Sequence, residues 1–144
     1  MKAAIILALC LAIAHCLVDV EELGEEFVEK AKHLHDVCVA QTQVPNSVIN
    51  LYKAGIFPVQ NNLLKKYLTC LWLESKGANR NLEFNDEVIK NFFPASIAAH
   101  LVPIYVGCAK LVKQSAPMST PIDDKFYLIS NCIYFKDPEN WVFF

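Results

Sequence analysis

Residues 64–71 read LKKYLTCL. Leu64, Leu68 and Leu71 recur at the four- and three-residue spacing that lines one face of a helix. Lys66 and Cys70 are also one turn apart. Lys66 therefore stands beside Cys70 at a place where a second cysteine would fit a disulfide framework.

The helix read from this stretch extends over Pro58 to Lys76, with Gly77 as its C-cap. Upstream, KAGIFP (53–58) marks a turn through Gly55 and Pro58, and a short helix follows Pro45. Between Val20 and Cys38, apolar Leu23, Phe27, Ala31, Leu34 and Cys38 alternate with Glu21, Glu22, Glu25, Glu26, Glu29 and Lys30. That pattern predicts an amphipathic first helix, with Asp19 as N-cap and its acidic start favoured by the helix dipole.

Downstream, GANRN (77–81) is a polar loop from which Leu82 and Phe84 drop onto the core. Asn85 caps a helix over 86–92, which Pro94 ends. Ser96 starts a helix to about Gln114, kinked at Pro103. STP (119–121) supplies an N-cap and a first-turn proline for a last helix ending near Lys136, and an apolar tail, DPENWVFF (137–144), follows. No run alternates as a strand does, so the expected class is all-α with six helices.

Lys2, the apolar run AAIILALCLAIA (3–14) and the small residues Ala14 and Cys16 have the three-part form of a secretory leader, with cleavage expected after Cys16. This divides the chain into a leader, 1–16, and one helical domain, 17–144. The leader's run is shorter than the roughly 20 residues that span a bilayer, and no later segment reads as long enough. The expectation is a soluble, secreted, extracellular protein.

Cys10 and Cys16 leave with the leader. Cys38, Cys70, Cys108 and Cys132 remain, an even set that in an oxidising compartment reads as two disulfides. Metal ligation is the weaker reading, because no two of them lie within two to four residues of each other. Losing Lys2 takes the formal charge from −2 to −3, and no basic run exceeds Lys65-Lys66, which argues against nucleic-acid binding. All nine Phe, both Trp and all five Tyr stay in the domain, which implies a large core or an aromatic-lined apolar cavity.

The cysteines are separated by 31, 37 and 23 residues. With the leader and the six helices, this order resembles the insect odorant-binding proteins, the pheromone and general-odorant-binding family, over the whole chain after the leader. GIFP (55–58), LKKYLTCL (64–71) and DDKFYLISNC (123–132) are similar to that family's segments. The usual member has six cysteines. Here the second position falls on Lys66 and the fifth on Asp123, two positions that pair with each other in the family, so the chain resembles the four-cysteine, minus-C branch.

The resemblance implies a compact six-helix fold around a central apolar cavity, with Cys38 bonded to Cys70 and Cys108 to Cys132, one of three connectivities. Each bond stabilises by roughly 3 to 4 kcal/mol. An ion pair between Lys66 and Asp123 across the vacated site is a further expectation; the alternative is two ordinary surface charges.

The candidate pocket lies on the inner helix faces. Leu64, Leu68 and Leu71 share one stripe, Val88 and Phe92 another, Ile97, Leu101, Ile104 and Tyr105 a third, and Phe126 with Ile129 a fourth. Periodicity does not separate cavity wall from plain core; the family resemblance implies a cavity. By the same resemblance Trp141 and Phe143 are lid residues, the alternative being a tail packed outside. Tyr67, Tyr105 or Tyr127 offers a hydroxyl to a ligand. His33, His35 and His100 have no acidic partner legible in the sequence and read as exposed and inert.

No H-E-x-x-H, G-x-S-x-G or phosphate loop occurs, so an enzyme is not expected, nor any cofactor or metal. The function implied is reversible carriage of small hydrophobic ligands, odorants or pheromones, through fluid such as sensillum lymph by a monomer or weak homodimer. An olfactory receptor or a membrane is its further contact. Two alternatives stay open: a general lipophile carrier of haemolymph or reproductive glands, and a secreted helical effector acting on a protein partner.

Overall fold

The computed structural model describes residues 20–143, without the side chain of Val20. Six α-helices carry the fold: α1 (Glu25–Thr42), α2 (Asn46–Lys53), α3 (Asn62–Glu74), α4 (Asp86–Phe92), α5 (Ala95–Ser115) and α6 (Ile122–Lys136). Among the described residues the nearest thing to a strand is an isolated bridge between Ala78 and Phe84.

Boundaries differ from the sequence reading for local reasons. The predicted first helix is divided: Val20–Leu23 forms a 3₁₀ turn, Gly24 takes a φ of 94°, and α1 starts after it. A residue with a Cβ would be strained there. The predicted cap Asp19 and the leader 1–16 lie outside the described residues. At its other end α1 runs to Thr42, where Gln43 turns left-handed (φ 58°) and donates its N–H to the Val39 carbonyl.

Helix α3 begins four residues after Pro58, because the Asn61 side chain accepts the Leu64 N–H and sets the start. It ends at Glu74, with Ser75 rather than Gly77 as its C-cap, and Lys76 takes a positive φ of 60°. Asn85 caps α4 as expected, accepting the Val88 N–H. α5 starts behind Pro94, one residue before Ser96. Pro121, predicted within the first turn of α6, instead occupies the N-cap, and no side chain caps that helix.

α1 packs on α3, α3 on α6, α6 on α5 and α5 on α4. Cys38–Cys70 bonds α1 to α3 and Cys108–Cys132 bonds α5 to α6. Tyr52, Leu64, Tyr67, Leu68, Leu101, Phe126 and Ile129 form the fully buried centre. Leu82 is buried beneath the loop and Phe84 packs against the core.

One expectation is overturned outright. α5 is long and apolar enough to cross a membrane by length and composition. Its apolar length is divided between core and surface: Leu101, Val102, Tyr105, Cys108, Ala109 and Val112 are buried, whereas Pro103 and Leu111 are exposed. Pro103, where the sequence predicts a kink, lies within one continuous helix.

Candidate functional site

The inner faces of α3, α4, α5 and α6 and the C-terminal tail border a partly open cavity of about 70 Å³. α3 contributes Leu68, Leu71 and Trp72, and the turn beyond it Ser75 and Gly77. α4 contributes Val88, Ile89 and Phe92, with Phe93 next to it, while α5 supplies Tyr105. Leu34 of α1, Ser130 and Ile133 of α6, and Trp141, Val142 and Phe143 of the tail complete the wall. No lining residue is charged.

Of the residues singled out in the sequence, Leu68, Leu71, Val88, Phe92, Tyr105, Trp141 and Phe143 border this cavity. Leu64, Leu101, Phe126 and Ile129 do not; each is about 1% exposed or less and lies within packed core. Ile97 packs beside Phe27, Ala31 and Val142. Ile104 faces outward, into a surface groove with Pro103, Gly107, Leu111, Lys136 and the Cys108–Cys132 bond.

Phe126, Ile129, Ser130 and Ile133 share one face of α6, but the cavity lies at its far end, so Ser130 and Ile133 reach it. Leu34, Trp72, Ser75, Gly77, Ile89, Phe93 and Val142 also border the cavity and were not singled out for it. Phe93 stands in the extended residue that ends α4, where helical periodicity gives no signal.

The tail is held from its root. Asp137 lies 2.5 Å from His100 of α5 and accepts hydrogen bonds from both the backbone and the side chain of Asn140. Burial pushes the Asp137 carboxyl up, but the His100 and Asn140 hydrogen bonds outweigh it, leaving its pKa below the usual carboxylate value. His100 thus has an acidic partner that the sequence did not reveal, 37 residues away.

Beyond the 3₁₀ turn Pro138–Asn140 the chain is extended and its side chains alternate. Trp141 and Phe143 point to one side, stacked with ring planes 3° apart and centroids 5.5 Å apart. Tyr52 meets both rings edge-on, and Tyr134 meets Trp141 at 90°. Val142 points to the other side, against Phe27 and Ala31. The tail is therefore built into the cavity wall, not laid on the outer surface; Phe144 lies outside the described residues.

Polar groups around the cavity are few. Trp72 Nε1 donates to Ser130 Oγ at 3.3 Å. His35 Nδ1 lies 2.9 Å from the Tyr67 hydroxyl, so His35 also has a partner. Burial first, and then the negative charge of Asp36, raise the Tyr67 hydroxyl's pKa; burial and Asp137 raise that of Tyr105. Tyr127 is buried away from the cavity, with Lys65 over its ring.

The expected ion pair is displaced by one residue. Lys65, not Lys66, reaches from α3 to α6, and it meets Asp124, not Asp123, at 2.7 Å. Lys66 is exposed on α3. Among the described residues no group of three or more His, Cys, Asp or Glu is placed to hold a metal ion.

A model of the PBP/GOBP family matches residues 20–136. No curated protein matches the chain.

Proposed function

Because the chain belongs to the PBP/GOBP family, whose members carry small hydrophobic ligands, we propose that it is a secreted carrier of odorant- or pheromone-like molecules, bound reversibly in the tail-walled cavity. The observation that carries this reading is the cavity itself, an apolar space without a charged lining residue, bounded on one side by a terminal segment. Apolar area moved from water to such a wall gains roughly 25 cal/mol per Å².

The size of the cavity gives the tail its role. At about 70 Å³ it has about half the volume of a cavity of about 150 Å³ that takes up benzene. A terpenoid or long ester therefore needs the tail to move outward as it enters, with Trp141 and Phe143 closing again over the enlarged space. Burying each tail side chain gains roughly 1.5 to 3 kcal/mol, while fixing its backbone costs about 1 to 2 kcal/mol per residue. The tail is thus held by a small net balance, which suits a lid that a ligand moves.

The leader 1–16, export, and membership of the four-cysteine branch belong to the same proposal. Two bonds tie the four cysteines of the domain, and Lys66 and Asp123 lie on helices that pack together. The same cavity would serve an olfactory carrier or a general lipophile carrier of haemolymph or reproductive glands; tissue of expression separates those two.

The test is competition. Oxidised protein 17–144 is titrated with a fluorescent apolar probe, which is then displaced by volatile alcohols, esters, terpenoids and fatty acids. Saturation at one site with displacement at micromolar concentrations is expected, and absence of binding by protein with both disulfides formed refutes the proposal.

A further inference from the structure

The cavity borders one buried polar group that the fold leaves unanswered, and a tyrosine hydroxyl lies on the same wall. Trp141 is 5% exposed, borders the cavity, and its indole N–H has no hydrogen-bond partner. Tyr105 is 4% exposed and borders the same space, edge-on to Trp72 and Phe93. Burial and Asp137 raise its pKa, so the hydroxyl stays neutral. The other polar side chains of the wall are engaged with protein: Trp72 with Ser130, and Ser75 with the backbone of Trp72 and Gly77.

Buried donors without partners are uncommon in folded proteins and are costly to leave unmet. Here the Trp141 N–H is such a donor, and Tyr105 sets a second neutral hydroxyl at the same apolar cavity. A ligand oxygen able to accept hydrogen bonds would answer the Trp141 N–H, whereas a hydrocarbon of the same shape would leave it unmet. A carboxylate would also accept, but it would bury a charge with no cation among the lining residues, near enough to Asp137 for that carboxylate's field to reach Tyr105.

Resting on the carrier reading above, we infer that the cavity selects neutral ligands with an acceptor oxygen, such as a ketone, aldehyde or ester, over both hydrocarbons and fatty acids. Tyr105 and Trp141 are the residues that read that oxygen. Because Trp141 belongs to the tail, recognition of the oxygen and closure of the lid are one event.

Methyl octyl ketone, decane and decanoate, at pH 7, are competed against the fluorescent apolar probe. The ketone is expected to bind about tenfold more tightly than decane, the worth of one well-placed hydrogen bond, and decanoate more weakly than either. Trp141→Phe and Tyr105→Phe together should collapse the ratio of ketone to decane affinity. Binding should also shift the ketone's carbonyl stretch to lower frequency in the unaltered protein, a readout independent of how the variants fold. Equal affinity for ketone and decane, tighter binding of decanoate, or an unshifted carbonyl stretch overturns the inference and leaves the carrier reading standing. Failure of all three compounds to displace a bound probe, or of the probe itself to bind, overturns both.

Discussion

Lys65 and Asp124 join α3 to α6 across 2.7 Å, one residue along from Lys66 and Asp123 on the same two helices. The Lys65 side chain is 14% exposed and also lies over the Tyr127 ring, 5.4 Å from its centroid, while Asp124 is 37% exposed. Because water screens the Asp124 side, the pair is worth about 1 kcal/mol. Lys65→Met or Asp124→Asn should lower unfolding stability in urea by roughly that amount, with a matching coupling in the double-mutant cycle. Lys66→Ala should change stability by less than about 0.5 kcal/mol. A larger effect at Lys66 than at Lys65 would contradict this assignment.

The four-cysteine proposal predicts that Lys66→Cys with Asp123→Cys forms a third disulfide on oxidative refolding. Thiol counting and mass should show three bonds, with stability raised by up to a few kcal/mol. Two free thiols in the oxidised, folded double variant would contradict the proposal.

Two glycines should respond in opposite directions. At Gly55, with φ of 78°, a new Cβ would meet the Tyr134 hydroxyl at 2.5 Å, and Tyr134 supports both Phe57 and Trp141. Gly55→Ala should destabilise by about 1 to 3 kcal/mol and loosen the tail. At Gly107, inside α5, a Cβ meets nothing within 4 Å, so Gly107→Ala should stabilise by up to about 1 kcal/mol. Thermal unfolding of the two variants checks both signs.

Asp137 makes the tail's anchorage sensitive to acid. Its folded pKa is below the unfolded value, so its contribution is present above about pH 4, the ordinary carboxylate value, and is lost as pH falls through the folded pKa. Asp137→Asn should therefore be less stable than the parent at neutral pH, with the difference narrowing below about pH 4. A constant difference from pH 7 to pH 3 would show that this carboxylate does not anchor the tail.

Much of the helix order was legible because periodicity and caps are local: Asn85 caps α4 where the residue pattern put it, and Leu68 and Leu71 border the cavity from the predicted stripe. What escaped was set by distance in sequence. Whether Phe126 or Ile133 of one stripe borders empty space depends on neighbouring helices, and the His100–Asp137 contact spans 37 residues. Ile104 lies one residue from Tyr105 yet faces an outer groove, because Pro103, Ile104 and Gly107 occupy the side of α5 turned away from α3 and the tail. The ion pair was read in the right helices and placed one residue off on each, a shift of about 100° around a helix.

The central claim is that ligand occupies the space behind the tail, and methyl-labelled NMR tests it most directly. On titrating oxidised protein with methyl octyl ketone, saturable shifts are predicted at the methyls of Leu68, Leu71, Val88 and Ile89 and at the Trp141 indole N–H. Shifts confined to Ile104 and Leu111 of the outer groove, with the cavity signals unmoved, would contradict it.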